Sequence, residues 1–272
     1  MQYDPIKKSL GKVFNANSFL RILFYKLLDL LLLRSWHIRK ELKKWNKNVT
    51  QGAKIIDAGS GFGQYTYFLT TLNSRHKILA LDVKEEQIED CNRFFNKIGK
   101  SDQALFEKQD LTVYSQAALF DLIISIDVME HIIEDEQVFS NFQQSLKPGG
   151  MLLISTPSDL GGSDSEHHEE DEVHGFIDEH VRDGYNINDI RTKLERAGFS
   201  RIEASYTYGK PGSLSWRLSM KYPISVLNSS KLFFILLPAY YLIVFPFCLI
   251  LNYMDVSMHH KAGTGLMIKA YK

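Results

Sequence analysis

The sequence predicts a doubly wound α/β fold with a Rossmann-like, largely parallel sheet, and three observations carry that prediction. Short β-branched runs alternate with helical patterns from Lys54 to Ser155; the runs FDLIISI and MLLIST are almost continuously apolar; and the first run closes on a glycine-rich segment, Asp57 to Gly63. Alternation of this kind puts parallel strands in one layer with helices on both faces. Strands covered on both faces lose their polar alternate positions, which explains the continuous runs.

In chain order the elements are a strand at KIIDA, a helix from Gln64, a strand at KILALD, a helix over Glu85 to Ile98 and a strand at ALFEKQD. A strand at FDLIISI, a helix over Glu134 to Leu146 and a strand at MLLIST follow, with a turn expected at Lys147-Pro148-Gly149-Gly150. Pro157 to Asn186 has no hydrophobic period, and a loop that long in a compact domain usually serves as a lid or binding loop. A helix over Ile187 to Ala197, a strand at Arg201 to Tyr208 and a final strand at Gly265 to Tyr271 complete the list. The chain divides accordingly into a basic and apolar helical region (1–50), a core (51–209), a hydrophobic helical insertion (210–262) and the last core strand (263–272).

The 272 residues are 44% hydrophobic with zero formal net charge, so a globular core is expected and no global field recruits nucleic acid. Charge is nonetheless uneven. Residues 1–50 carry eleven Lys/Arg against Asp4, Asp29 and Glu41, whereas residues 164–183 carry nine Asp/Glu against Arg182. Cys91 and Cys248 form no CxxC spacing or paired framework, which fits a reducing, cytoplasmic compartment. The apolar stretch Leu27 to Leu33 lies deep in the chain and Arg34-Ser35-Trp36-His37 follows it, so no secretory leader is expected.

Asp57-Ala58-Gly59-Ser60-Gly61-Phe62-Gly63 falls where a strand must turn into a helix, and its glycines permit positive φ and close approach of a ligand to the backbone. The spacing is GxGxG with an acid before the first glycine. A second strand ends in Asp82-Val83, an acid suited to both hydroxyls of a ribose, and a third end offers Asp110-Leu111, suited to an adenine amino group and ring face. A nicotinamide- or flavin-type loop is the alternative for the glycines taken alone.

Together these motifs resemble the class I S-adenosylmethionine-dependent methyltransferase family over about residues 50–200. The resemblance implies a seven-stranded Rossmann-like methyltransferase sheet ending in an antiparallel hairpin, with the hydrophobic helical insertion before the last strand. By the same resemblance Asp57, Gly59, Ser60, Gly61 and Gly63 hold the methionine part, Asp82 and Val83 the ribose, Asp110 and Leu111 the adenine, and Ile126-Asp127 the pocket mouth. S-adenosylmethionine is the implied cofactor, with S-adenosylhomocysteine as product.

Methyl transfer from a sulfonium needs alignment and desolvation, and a base when the acceptor is a hydroxyl. Asp127-Val128-Met129-Glu130-His131-Ile132 follows a strand end where open α/β sheets bind ligands, so Glu130 and His131 are candidate catalytic residues. The segment is similar to the VLEHI-type motif of quinone-pathway methyltransferases, some of which hold a divalent cation there. Asp127 stands where those have Glu, a shorter oxygen ligand; no metal site is assigned. Asp178 to Tyr185 resembles the EHxRxY stretch of small-molecule methyltransferases, which makes His180 and Tyr185 further candidates to face the acceptor, His180 having the intrinsic pKa of a base at neutral pH.

Residues 232–251 form twenty consecutive uncharged, mostly apolar positions, enough by count to cross a bilayer core of about 30 Å. They lie between two strands expected to pair, so a single crossing is incompatible with the sheet. Pro238 and Pro246 favour two short helices or a shallow hairpin. With apolar Phe19 to Leu33 and the basic residues Arg34, Arg39, Lys40, Lys43, Lys44 and Lys47, this predicts peripheral or monotopic contact with the inner face of the membrane. The alternative is mutual burial of the two segments, or a homodimer interface. The expected partner is a hydrophobic small-molecule acceptor, methylated at a hydroxyl; the alternative role is a catalytically silent membrane scaffold that retains the cofactor fold. Neither a basic, aromatic-rich surface nor an NPPY-like motif supports a nucleic-acid or protein acceptor.

Overall fold

The structure, a computed structural model, describes residues 17–49, 51–161, 181–229 and 235–272; His180 and the acidic loop before it lie outside the described residues. The strands are β1 (Lys54–Ala58), β2 (Lys77–Asp82), β3 (Ala104–Lys108), β4 (Phe120–Ile126), β5 (Leu146–Pro157), β6 (Arg201–Thr207) and β7 (Gly265–Tyr271). They form one seven-stranded sheet in the order β3-β2-β1-β4-β5-β7-β6. The first five are parallel, and β7 runs antiparallel to both β5 and β6.

The apolar runs divide their side chains between two cores with the two-residue period of a strand. Ile55, Leu122, Ile124 and Leu153 face one side, where α1 (Ser18–Leu31), α2 (Leu33–Asn46), α3 (Gln64–Leu72) and α4 (Glu85–Lys97) contribute Tyr25, Ile38, Phe68 and Phe95. Ile56, Ile123, Leu152 and Ile154 face the other, against Phe139 and Phe142 of α5 (Asp135–Ser145) and Ile190 and Leu194 of α6 (Ile187–Arg196). Both faces of the central strands are packed with side chains, so the polar ones among them, Asp57 of β1 and Ser125 of β4, are buried too. The turn expected at Lys147 to Gly150 is absorbed into β5: the β4–β5 register slips between Phe120↔Leu146 and Leu122↔Met151, and Gly149 and Gly150 bond Lys272 instead.

The N-terminal region folds as a helix pair broken at Leu32, which is extended. Its basic residues are not all displayed outward. Arg39 pairs with Asp29 and stacks 4.2 Å over the Phe68 ring, Lys40 donates to the Val256 carbonyl, and Arg34 pairs with Asp127. Half of the cluster read as lipid-facing therefore ties the helix pair to the core.

Between β6 and β7 lie α7 (Lys210–Trp216), a π-helical turn (Arg217–Lys221), α8 (Tyr222–Ser229) and α9 (Leu237–Ser257). Pro238 and Pro246 do not split the apolar run as expected. Pro238 occupies the first turn of α9, where its missing N–H has no partner to lose, and Pro246 lies inside the helix on its exposed side. Leu242, the residue whose carbonyl Pro246 leaves without a helical partner, is 80% exposed, so water can take the bond.

The opposite side of α9 is held at its C-terminal end by Asp255, a wholly buried carboxylate. It accepts from the amides of Tyr208 (3.2 Å) and Gly212 (3.0 Å), lies 2.9 Å from Nε2 of His37 on α2, and 3.1 Å from Nε2 of His260. Burial pushes its pKa up, but the His37 hydrogen bond, the charges of both histidines and the Gly212 amide outweigh it and hold the carboxyl below its usual value. Four segments meet on one side chain. Asp255→Ala, which strands those donors, is expected to lower unfolding stability by about 3 kcal/mol in urea titrations, and Asp255→Asn, which keeps an acceptor, by clearly less.

Candidate active site

The loop after β1 is shaped by backbone that only glycine adopts freely. Gly59 has φ of 77°, and a Cβ there would lie 2.2 Å from Val128 of the segment leaving β4, so the two strand ends can meet only over a bare backbone. Gly61, at φ of 51°, has open space on its Cβ side, while its N–H donates to Oδ2 of Asp82 at 2.9 Å. The other Asp82 oxygen accepts from the Lys84 amide. Asp82 is thus fixed to the loop before any ligand arrives, and its carboxylate keeps lone pairs for two hydroxyls. Ser60, between those glycines, has a buried hydroxyl with no hydrogen-bond partner among the described residues.

Asp57 takes a different place from a ligand contact. Its side chain is buried and accepts from the Thr66 hydroxyl of α3 at 2.6 Å, joining the strand end to the helix. Burial pushes its pKa to about 6, against the Thr66 bonds, with Asp82 adding repulsion. Gly63 caps α3 in left-handed backbone. Asp110 is exposed and closes its own turn, accepting from the amide and hydroxyl of Thr112, which hold its carboxyl below the usual range. Leu111 packs into the core, Val83 stays exposed, and the Tyr114 hydroxyl nearby is buried without a hydrogen-bond partner among the described residues. A glycine cradle, a pre-oriented carboxylate and orphaned hydroxyls at two strand ends fit the carboxylate, ribose and base of an S-adenosyl cofactor.

At the end of β4, Ile126 is buried and Asp127 adopts a left-handed conformation with φ of 51°. Asp127 lines a cavity of about 170 Å³, together with Arg34, Thr156, Thr207, Tyr208 and Thr264. Tyr208 is also left-handed, at φ of 57°. Apart from Ala118, these are the only described non-glycine residues with positive φ, a backbone that costs about 1–3 kcal/mol each and gathers at functional sites. Glu130 lies in a 3₁₀ turn, Met129–His131, behind the cavity wall, with its Oε2 3.1 Å from the Thr156 hydroxyl. Burial raises its pKa, against its own backbone hydrogen bond, His131, Thr156 and Arg34. His131 is half-buried in the same turn. Asp127, Glu130 and His131 do not close into a cation site: among the described residues no three His, Cys, Asp or Glu side chains do.

Residues 49–198 match the family described as a methyltransferase domain. The chain belongs to that family. A phosphoethanolamine N-methyltransferase 1 of Triticum aestivum is 32% identical over 157 residues, covering 56% of this chain and 29% of the relative. The mitochondrial ubiquinone biosynthesis O-methyltransferase of Homo sapiens is 32% identical over 108 residues, 39% of this chain and 29% of the relative. The chain therefore spans under a third of the length of these curated relatives. Among solved structures, phosphoethanolamine N-methyltransferase 2 of Haemonchus contortus, in complex with phosphomonomethylethanolamine and S-adenosylhomocysteine, overlays with a TM-score of 0.57 at 19% identity, over 87% of this chain and 52% of that one. At that identity the likeness is one of fold.

The methyltransferase domain also uses residues that the motifs do not contain. Arg21 and Tyr25, both buried on α1, hold the glycine loop from outside: Arg21 donates to the Phe62 carbonyl (2.9 Å), to Asp90 (2.5 Å) and to the Tyr25 hydroxyl (2.7 Å), and Tyr25 donates to the same Phe62 carbonyl. Gln64 extends the contact, donating to Asp29 and Ser35. The signal was present as polar residues at Arg21, Tyr25 and Asp29, one helical face of an otherwise apolar stretch. Tyr185 corrects the expectation in the other direction. Its hydroxyl is consumed by Asp135 (2.7 Å) and the Met129 carbonyl (3.1 Å), with Arg182 alongside, so it braces the turn carrying Glu130 instead of facing an acceptor.

Tyr25→Phe removes one of the two donors that α1 offers to the Phe62 carbonyl, the other being Arg21; S-adenosylhomocysteine affinity by calorimetry is expected to fall about three- to tenfold, and unchanged affinity would show that the Tyr25 hydroxyl does not support the loop. For Asp57 the sign is destabilising. A carboxyl whose pKa rises from 3.8 to about 6 on folding makes the native state lose stability as pH climbs through that window, by up to about 3 kcal/mol. Asp57→Asn, which keeps an acceptor for Thr66, should therefore gain on the wild type between pH 4 and 6 in urea denaturation.

Proposed function

We propose that this protein transfers the methyl group of S-adenosylmethionine to a lipid-like small molecule, at a hydroxyl, while attached to the inner face of a membrane. The loop of Gly59 to Gly63 and Asp82 would hold S-adenosylmethionine, which would supply a sulfonium methyl already activated for in-line displacement, with S-adenosylhomocysteine as the leaving group. The chain's own residues align and desolvate the acceptor and receive its proton. Glu130 is the candidate base, since burial lifts its carboxyl towards the working pH and the Thr156 hydroxyl links it to the cavity. His131 in the same turn is the second candidate, and His180 remains one by sequence.

The observation that carries the lipid-like acceptor and the membrane is the outer face of α9. Leu242, Ile243, Phe247, Ile250 and Tyr253 are all mostly exposed, on a helix whose other side reaches the cavity wall through Asp255 and Tyr208. Phe19, Leu23, Leu27 and Leu30 of α1 are exposed as well, with Lys26 among them. Exposed apolar faces on two helices, one of them carrying a cation, suit an anionic bilayer surface. Because β6 and β7 pair along their whole length, α9 must return to the side it left, which supports insertion into one leaflet. A sterol 24-C-methyltransferase of Aspergillus fumigatus among the relatives, and the ubiquinone-pathway enzyme, are named for acceptors with large apolar parts.

Flotation with vesicles containing anionic lipid is expected to carry wild-type protein upward, less so in high salt, and Leu242→Glu with Phe247→Glu to leave it in the lower fractions. Wild-type protein that stays down and elutes as a dimer would assign the face to a second copy. Equal turnover of water-soluble acceptors lacking any apolar tail would overturn the acceptor class.

A further inference from the structure

We infer that Arg34 seats a phosphate ester carried by the acceptor, and that its ion pair with Asp127 is the contact this group replaces. The inference rests on the methyl-transfer reading and assigns the polar end of the same acceptor. Arg34 belongs to α2, outside the matched methyltransferase segment, yet its guanidinium lines the cavity at the carboxyl end of β4.

Three features point to an oxyanion. The first is an incomplete guanidinium: one Nη pairs with Asp127 and the side chain also hydrogen-bonds Tyr65, but Nε is buried and has no hydrogen-bond partner among the described residues. Such orphaned donors are uncommon in native proteins and are usually met by water, an ion or a ligand. A tetrahedral oxyanion satisfies Nε and an Nη together, as the guanidinium fork requires. The second is the ease of exchange. Both side chains of the pair are about one-third exposed (31% and 32%), so a displaced Asp127 carboxylate returns to water and is not left buried without a counter-charge. The third is the lining. Thr207 and Thr264 border the same cavity with hydroxyl-bearing side chains, while the Thr156 hydroxyl is already given to Glu130.

The remaining neighbours do not oppose an anion strongly. Tyr65, Tyr208 and Glu130 face the guanidinium. The Tyr208 phenol is held neutral, its pKa pushed by burial to about 12, and Oε2 of Glu130 is engaged by the Thr156 hydroxyl at 3.1 Å. The two cavity residues in left-handed backbone are each tied to a neighbour: the Tyr208 hydroxyl accepts from the Arg34 amide at 2.9 Å, which ties the first turn of α2 to the cavity wall, and the Asp127 amide donates to the Ser155 carbonyl at 2.8 Å.

The test is calorimetric titration of the full chain with inorganic phosphate and with glycerol 3-phosphate, each with and without S-adenosylhomocysteine. Wild type is expected to bind both, and Arg34→Gln to bind at least about tenfold more weakly. Arg34→Lys, which keeps the charge and loses the fork, should recover only part of the affinity. S-adenosylhomocysteine affinity in Arg34→Gln, within about threefold of wild type, reports an intact fold and donor site. Vesicles doped with phosphatidic acid, compared with phosphatidylcholine alone, separate the sources: Arg34-dependent vesicle binding assigns a lipid headgroup, and a response confined to glycerol 3-phosphate and phosphate assigns a soluble ester. No binding by wild type in either state, or equal binding by Arg34→Gln, overturns the inference. Failure of S-adenosylhomocysteine to bind would overturn the donor reading alone, because the titration without it still judges Arg34.

Discussion

Seven residues of β6 lie antiparallel to seven of β7, from Arg201 opposite Tyr271 to Thr207 opposite Gly265. Everything between them must leave and re-enter at the same end of the two strands, the end where the cavity opens. That constraint converts a stretch hydrophobic enough for a transmembrane helix into a surface helix with one free side. It also brings Asp255 back to the end of β6, where a wholly buried carboxylate can gather His37, Tyr208, Gly212 and His260. Pairing in the sheet decides the topology of the insertion, and hydrophobicity decides only what its outer side is suited to touch.

The glycine loop and the cavity beside it are built differently. In the loop the backbone does most of the work: left-handed glycines, an amide hooked to Asp82, and a carbonyl at Phe62 gripped from outside by Arg21 and Tyr25. At the cavity the work is done by residues from segments far apart in sequence, with Arg34 meeting Asp127 and the Tyr208 amide meeting Asp255. The two share the N-terminal helix pair. One helix steadies the loop, and the first turn of the next supplies the cation at the cavity, so displacement of that pair would disturb both.

What could be read from sequence follows the same division. The succession of strands and helices along the chain, the glycine loop and the place of Asp82 at a strand end are legible because each depends on local periodicity or on a strand end. Pro246 misled because propensity was weighed without the solvent exposure that lets its missing bond be made by water. Tyr185 misled because a motif resemblance says nothing of whether a hydroxyl is already engaged, and Asp135 engages it. Arg34 was counted among lipid-facing charges. Nothing within a few residues of it announces that its partner lies on β4, and long-range ion pairs leave no periodic trace. Arg21 and Tyr25 were legible in principle, as a polar face on an apolar helix, and were hidden only by the length of the apolar stretch around them.

The boundary of the recognisable family falls at residue 198, and the sheet does not. Cut there, β5 would lose β7, and its run Met151 to Ser155 would present an open ladder of amides and carbonyls beside Leu152, Leu153 and Ile154. A long, apolar, unprotected edge invites pairing with another chain. The unit that folds is therefore larger than the unit that is recognised. Its C-terminal strand is a guard on the sheet, and the extra helices are carried on the connection that the guard requires.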